Sequence, residues 1–295
     1  MSKLDAFSEI LQKDASAAGL TWLRLGGPIE YLARPRSEEE LLALLQACAQ
    51  EGLEVRVLGD GSSLLVADEG VKGVVVQLSE PAFCKISVDA PYVVAGAGVK
   101  LGVLATTTAT AGLAGIEGLI GVPGVLGGAA ATNASTSDVS LGQWVESARV
   151  ATYDGRIREL AADEIVFGYR SSSLENAIVL SIRFRLEPEP AQELFRRLQK
   201  IWIIREQARP KPLSGEGFAR MFKNPRGERA AEFIADVDMT KASVGGAKLC
   251  DANPNLVTTA PNATSEDVKN LVLMLQEKTR VQLGVDLESE LTVWP

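Results

Sequence analysis

The chain has no histidine. That absence excludes Ser-His-Asp triads, histidine general acid–base pairs, HExxH zinc sites and Cys2His2 fingers. Cysteine is almost as scarce: Cys48, Cys84 and Cys250 are scattered, with no CxxC. A disulfide framework, a four-cysteine zinc site and an iron–sulfur cluster are therefore not expected, and dispersed free thiols fit a reducing cytosol. Aromatic residues make up 5% of the sequence, too few for a stacking platform for single strands. Basic residues are outnumbered, 30 against 38 acidic, and form no block. A net charge of −8 then argues against nucleic acid as a partner. No apolar signal segment opens the chain, because Asp5, Glu9 and Asp14 interrupt it.

What is present is a globular composition, 46% hydrophobic over 295 residues, enough for one large domain or two to three small ones. Ser37 followed by Glu40 is a capping box, and Leu41, Leu42, Leu44, Leu45, Ala47 and Cys48 repeat at helical spacing until Gly52. Short strands are expected at Val55 to Leu58 and near Gly73 to Leu78 and Tyr92 to Ala95, and Leu64-Leu65-Val66 is a second apolar run after the glycine turn. From residue 81 to about 190 the pattern predicts mostly short strands and glycine loops. It includes a hairpin turning at Asp154-Gly155 and a closing strand at Ile178 to Leu186. Glu187-Pro188-Glu189-Pro190 reads as a linker, followed by a helix from about Ala191 to Arg209. Thr264-Ser265-Glu266-Asp267 caps a last helix that Gly284 ends, and a strand follows at Leu291 to Trp294.

Gly112 to Thr132 carries a single charge, Glu117, and a glycine at every third position from Gly112 to Gly127. Pro123 and the small side chains argue against a membrane helix, so buried, backbone-dense loops are expected. Gly59-Asp60-Gly61-Ser62-Ser63 follows a strand but is neither GxGxxG nor a P-loop. Alone it is an ordinary glycine turn or an anion nest. With Gly121-Val122-Pro123-Gly124 and Gly127-Gly128 it would suit a dinucleotide pyrophosphate held by main-chain donors, or simply a tightly packed pair of loops. Arg170, in Phe167-Gly168-Tyr169-Arg170-Ser171-Ser172-Ser173, could clamp a carboxylate or be a solvated loop cation. Lys223, in Phe222-Lys223-Asn224-Pro225, could meet a phosphate or water. Glu288 and Glu290 are expected on one face of a strand, as acid–base groups or as a solvated face.

Taken in order, these segments resemble the UDP-N-acetylenolpyruvoylglucosamine reductase (MurB) family. The resemblance is carried by Leu23-Arg24-Leu25-Gly26-Gly27, by Gly59 to Leu65, by Gly118 to Ala129 and by Phe167-Gly168-Tyr169-Arg170. Met221-Phe222-Lys223-Asn224-Pro225, Val244-Gly245-Gly246-Ala247 and Leu287-Glu288-Ser289-Glu290 complete it, from about Leu20 to Trp294. The absence of room for an extra loop makes the chain similar to the shorter, type II form.

The resemblance implies an α+β chain. A FAD-binding fold of the vanillyl-alcohol-oxidase (PCMH) type is expected over residues 22–188, with subdomains of about 22–80 and 81–188, and FAD between the subdomains. A C-terminal α+β substrate domain is expected over residues 201–295. It implies non-covalent FAD, NADPH as reductant, and reduction of the enol ether of UDP-N-acetylglucosamine enolpyruvate. That reaction belongs to peptidoglycan precursor synthesis, and so to cell-wall formation, cell shape and division. The expected setting is cytoplasmic, for a monomer or weak oligomer with a UDP-sugar substrate, no nucleic acid, no membrane and no metal.

By the same resemblance Gly59, Asp60, Gly61, Ser62, Ser63, Leu64, Gly121, Val122, Pro123, Gly124, Gly127 and Gly128 would hold the cofactor. Tyr169, Lys223, Asn224 and Asn255 would bind substrate. Arg170 and Glu290 match two of three catalytic positions. The third, usually a proton-donating serine, is Arg220 here. Arginine stays protonated and donates poorly to carbon, so Arg220 would clamp a carboxylate, with Ser214, Cys250 or water as open alternatives for the donor. Two smaller departures are Ser63 for the usual asparagine and Asn253 for the usual histidine. The alternative function is a relative that binds FAD or a nucleotide sugar but has lost or altered the reaction.

Overall fold

The computed structural model of the chain describes residues 3–210 and 214–295. Six α-helices lie among them: α1 Glu38–Glu51, α2 Leu101–Thr110, α3 Leu126–Ala131, α4 Ala191–Ala208, α5 Ala230–Asp236 and α6 Ser265–Leu283. The chain divides into two compact units. The first holds Met1–Lys13, Tyr31–Asp60 and Gly73–Gln207; the second holds Asp14–Glu30, Gly61–Lys72 and Ala208–Pro295.

In the first unit the helix with the clearest sequence signals forms as expected. Ser37 caps α1 by accepting the Glu40 N–H at 3.2 Å. Gly52 ends it in the left-handed conformation at φ 65°. The helix buries Leu41, Leu44 and Leu45 completely, worth roughly 1.5–3 kcal/mol for each side chain. A four-stranded sheet has the order Leu11–Ser16, Pro28–Ala33, Val71–Gln77, Val55–Leu58, and its last two strands run parallel.

The larger sheet has the order Ile157–Ala161, Val145–Ala151, Ile178–Arg185, Tyr92–Gly96, Ile86–Asp89, antiparallel throughout. The Asp154-Gly155 hairpin is in register, with Ile157 opposite Ala151 and Gly155 at φ 78°. Ile178–Arg185, expected to close the sheet, is its central strand. Ile178, Val179, Leu180, Ile182 and Phe184 are buried while Arg183 and Arg185 are exposed, so the second half of the strand alternates as an antiparallel sheet with one face on the core does.

The stretch from 81 to 190 is more helical than expected. The sequence of α2, LGVLATTTAT, is rich in β-branched residues that disfavour a helix. Burial of Leu101, Leu104, Ala105 and Ala109 overrides that preference. The hydroxyls of Thr106 and Thr110 donate to the carbonyls four residues earlier, both at 2.8 Å. Gly112 to Thr132, expected as loops, includes the short helix α3 and a 3-10 turn at Glu117–Leu119. Glu187-Pro188, expected as a linker, pairs with Leu113–Ala114. α4 packs Leu194 and Leu198 against Ala105, Ala109 and Ile120.

In the second unit a four-stranded antiparallel sheet has the order Gly217–Arg220, Asn253–Thr259, Ala247–Cys250, Ser243–Val244. α5 and α6 bury Ala230, Ile234, Val268, Leu271 and Leu275 in a core with Met221, Phe222 and Val257. Thr264 and Asp267 form the reciprocal cap of α6, and Gly284 ends it at φ 66°. Leu64–Val66 pairs in parallel with Thr292–Trp294 near the chain end. No helix among the described residues is long and apolar enough to cross a membrane.

Candidate active site

In the first unit Gly59, which opens the first glycine cluster, lies beside the second cluster, far from it in sequence. A Cβ on Gly59 would stand 3.3 Å from Val125 Cγ2 and 3.9 Å from the Gly128 Cα. A Cβ on Gly128 would meet nothing within 4 Å. The main chain at Gly128 therefore faces open space, as a flat or charged ligand at close range requires.

Not every expected main-chain donor is available to a ligand. The Gly127 N–H donates to Ala97 O at 2.8 Å, and Gly124 O accepts the Leu101 N–H at 3.2 Å. Those two glycines hold the loop in place. Gly121 at φ 77° and Gly124 at φ 119° flank Val122-Pro123. Val122 packs partly on the core, and its N–H donates to Leu119 O at 3.0 Å. Arg205 of α4 lies along Gly121 and donates to Ile120 O, and burial works against its charge. Glu117, 6% exposed, accepts the Gly115 N–H at 2.7 Å and pairs with Arg197 of α4. Sequence reasoning missed both arginine anchors, because a charged residue on an amphipathic helix carries no sign of its distant partner.

Arg170 sits in a two-residue turn between the paired strands Phe167–Gly168 and Ser171–Ser172. Its backbone is left-handed, φ 53°, a conformation that costs an L-residue roughly 1–2 kcal/mol. The Ser172 hydroxyl donates to Ala130 O at 2.7 Å, which joins the turn to the last residues of α3. Tyr169 is exposed, with the Arg170 guanidinium 5.9 Å from its ring centre.

The second unit gathers the remaining expected residues. The boundary between the units falls between Asp60 and Gly61, so Gly61, Ser62, Ser63 and Leu64 belong here. Gly61, at φ 65°, is held so close that a Cβ would land on the Leu20 carbonyl. Ser63 O accepts the Thr292 N–H at 2.9 Å, two residues beyond Glu290.

Glu288 and Glu290 do not lie on a regular strand. They flank Ser289, which makes an isolated antiparallel bridge to Phe222. The Lys223 N–H donates to Glu288 O at 2.9 Å, and the Glu290 N–H donates to Met221 O at 2.8 Å. Glu288 is exposed and pairs with Lys223. The Glu290 side chain is only 16% exposed, and its Oε2 lies 3.9 Å from Arg220 Nε. The two glutamates thus differ in exposure and in partner.

Asn255, expected to contact substrate, has another task. It is 2% exposed, its Oδ1 accepts the Phe222 N–H at 2.9 Å, and its Nδ2 donates to Phe222 O at 2.8 Å. A buried amide so engaged clips the main chain between Arg220 and Lys223. The Asn224 Oδ1 accepts the Ala230 N–H at 3.1 Å, at the start of α5. No group of residues able to hold a metal occurs among the described residues.

Residues 29–161 match the model of an FAD binding domain, and residues 211–294 match that of the UDP-N-acetylenolpyruvoylglucosamine reductase C-terminal domain. The chain is 36% identical to the UDP-N-acetylenolpyruvoylglucosamine reductase of Rhodopirellula baltica, over 92% of this chain and 89% of the relative. It is 37% identical to that of Moorella thermoacetica, over 97% and 93%. The solved UDP-N-acetylenolpyruvylglucosamine reductase (MurB) of Thermus caldophilus superposes with a TM-score of 0.83 at 33% identity, covering 97% of this chain and 99% of that one. 6-Hydroxy-D-nicotine oxidase of Arthrobacter nicotinovorans, at 14% identity and a TM-score of 0.58, shares the fold alone, over 97% of this chain and 85% of that one.

Proposed function

Since the chain belongs to the UDP-N-acetylenolpyruvoylglucosamine reductase family, we propose that it reduces UDP-N-acetylglucosamine enolpyruvate to UDP-N-acetylmuramate with NADPH. The observation that carries this reading is that one chain joins an FAD binding domain to the reductase's own C-terminal domain. The step belongs to peptidoglycan precursor synthesis. The finer reading is a cytoplasmic enzyme, monomeric or weakly oligomeric, serving cell shape and division.

FAD fits the residues present. Gly59 and Gly128 stand side by side, and the open main chain at Gly128 admits a flat ring or a pyrophosphate where a side chain would intrude. Val125 lies beside Gly59 on the same side, and Gly121, Val122 and Pro123 are further candidates for cofactor contact by the family resemblance, as are Gly61 to Leu64 in their own unit. When bound, FAD carries hydride from NADPH to the substrate.

The chain's own residues bind, orient and balance charge. Hydride addition to the enol ether builds negative charge on the carboxylate side of the substrate. Arg170 meets that charge through its planar fork of donors. Glu290 works on the same intermediate, oriented by Arg220. Arg220 adds a second cation for the carboxylate, and the proton for carbon then comes from a hydroxyl, a thiol or water. Lys223, with Asn224 and Tyr169 as further contacts, serves the phosphate and sugar. Asn255 holds the Phe222 main chain and so sets the spacing of Arg220 and Lys223.

The test is NADPH oxidation by the purified flavoprotein, followed with and without the enolpyruvyl substrate. Substrate-dependent oxidation is expected, with a product heavier by two hydrogens. A yellow protein that shows neither would sink the reading.

A further inference from the structure

Asn133 ties together three segments of the first unit. It stands two residues beyond the end of α3, is 7% exposed, and holds its backbone at φ 45°. Its Oδ1 accepts the Ser140 hydroxyl at 2.8 Å and the Gly142 N–H at 3.0 Å. Its Nδ2 donates to Gly168 O at 2.8 Å. Gly168 is the residue on which the Tyr169-Arg170 turn begins.

We infer that Asn133 is the positioning residue for Arg170: its amide pins the Gly168 carbonyl and so holds the Arg170 turn in its left-handed form. The inference rests on the reading that Arg170 meets the substrate. Three facts point to asparagine in particular. Arginine at φ 53° is not self-sustaining, because the left-handed region crowds Cβ against the following carbonyl, so neighbours must hold the turn. Asparagine is among the few side chains that accept a positive φ, as residue 133 must. The site also needs an acceptor on one side and a donor on the other, which an amide supplies and a carboxylate does not.

Asn133 adds to the Gly168 side of the turn a bond from outside the hairpin, and other groups hold the rest. The Ser172 hydroxyl anchors the outgoing strand to Ala130 O and Ala131 O. Ser173 braces the base of the hairpin, its hydroxyl accepting the Val166 N–H at 3.1 Å. The Phe167 ring packs under Gly142, where a Cβ would stand 2.5 Å from Phe167 Cγ. The segment that Asn133 bonds through Oδ1 is thus also packed against the incoming strand. Losing the amide should leave the hairpin formed but its turn free to relax.

Two variants of the flavin-loaded protein test this. Asn133→Asp keeps the acceptor and removes the donor to Gly168. Asn133→Gly keeps the positive φ without strain and buries no charge, which guards against misfolding of the first. Rapid mixing separates flavin reduction by NADPH from flavin reoxidation by the enolpyruvyl substrate. Limited trypsin digestion, read by mass, reports cleavage after Arg170 independently of activity. The expected result is wild-type flavin content and reduction, with reoxidation slowed about tenfold, the loss that follows when a buried hydrogen bond is broken. Cleavage after Arg170 should accelerate by a similar factor, about tenfold, as local opening becomes easier. Unchanged reoxidation and cleavage in both variants would overturn the inference. So would an equal fall in flavin content, reduction and reoxidation, the mark of general structural support. A wild-type protein that NADPH reduces but the substrate does not reoxidise would overturn the functional reading instead. Even then the cleavage rates decide whether Asn133 holds the turn.

Discussion

Arg220 Nε lies 3.9 Å from Glu290 Oε2, and the bridge between Phe222 and Ser289 holds their two chain segments together. The pair is fixed by main-chain bonds on either side, from the Glu290 N–H to Met221 O and from the Lys223 N–H to Glu288 O. Arg220→Ser removes the cation and leaves Glu290 in its place. If Arg220 serves the substrate carboxylate, kcat/KM for the sugar substrate should fall by about ten- to a hundredfold, with flavin content unchanged. Steady-state kinetics decide it. A rise in turnover would mean that residue 220 is a vacated proton-donor position and not a clamp.

Arg170→Lys keeps a positive charge and loses the planar fork. A point charge cannot match two carboxylate oxygens at once, so kcat should drop by about a hundredfold or more. NADPH-driven flavin reduction should be unaffected, since that step does not involve the substrate carboxylate. Equal loss in both half-reactions would remove Arg170 from the role given it.

Gly128→Val separates folding from cofactor binding. A Cβ at Gly128 meets nothing within 4 Å, so a side chain enters open space there and the flavin-free fold should tolerate it. Thermal melting of the stripped protein should be unchanged to within a few degrees. FAD affinity, measured by flavin fluorescence titration, should fall by more than about tenfold, because the branched side chain fills the space left open beside Gly59. Undiminished affinity would place the cofactor elsewhere.

FAD should come away when the protein is denatured. There is no histidine to tether it. Cys48 lies in the core, where burial pushes its thiol up to about 11 and keeps it from being a nucleophile. Acid precipitation should leave the yellow colour in the supernatant. Colour in the pellet would demand a covalent bond to Cys84 or Cys250.

Asp267 links the second unit's stability to pH. The Gly246 and Thr264 N–H groups hold its carboxyl below its ordinary 3.8. A depressed carboxyl stabilises the fold at pH values above its unfolded value, and that contribution is lost as pH falls through the folded one. Asp267→Asn should therefore cost about 1 kcal/mol at neutral pH, the usual worth of a helix cap. The gap to wild type should close below pH 3.8. Urea unfolding at neutral and acid pH measures both. A gap that persists in acid would contradict the linkage.

Much of the secondary structure, and the family, can be read from the sequence alone. α1 and α6 are announced by Ser37 with Glu40, Thr264 with Asp267, and the stopping glycines Gly52 and Gly284. The Asp154-Gly155 hairpin is announced by its turn. These signals are legible because the hydrogen bonds behind them join residues a few positions apart, so the chain chemistry near each end already decides them. The ordered motifs from Leu23 to Glu290 identify the family for a different reason: each is a short local pattern, and their sequence order is itself information.

Tertiary structure alone decided the rest. α2 is helical despite its threonines because its buried face outweighs their local preference. Ile178–Arg185 is central because strands from distant parts of the chain pair with both its edges. Gly59 and Gly128 become one cradle only when the chain brings them together, and Asn255 turns from expected ligand contact to main-chain clip because the fold buries it against Phe222. Asn133 carries no local signal, since its partners Ser140, Gly142 and Gly168 are chosen by packing. A residue type bounds which bonds a position can make; which of them it makes depends on what long-range burial sets beside it.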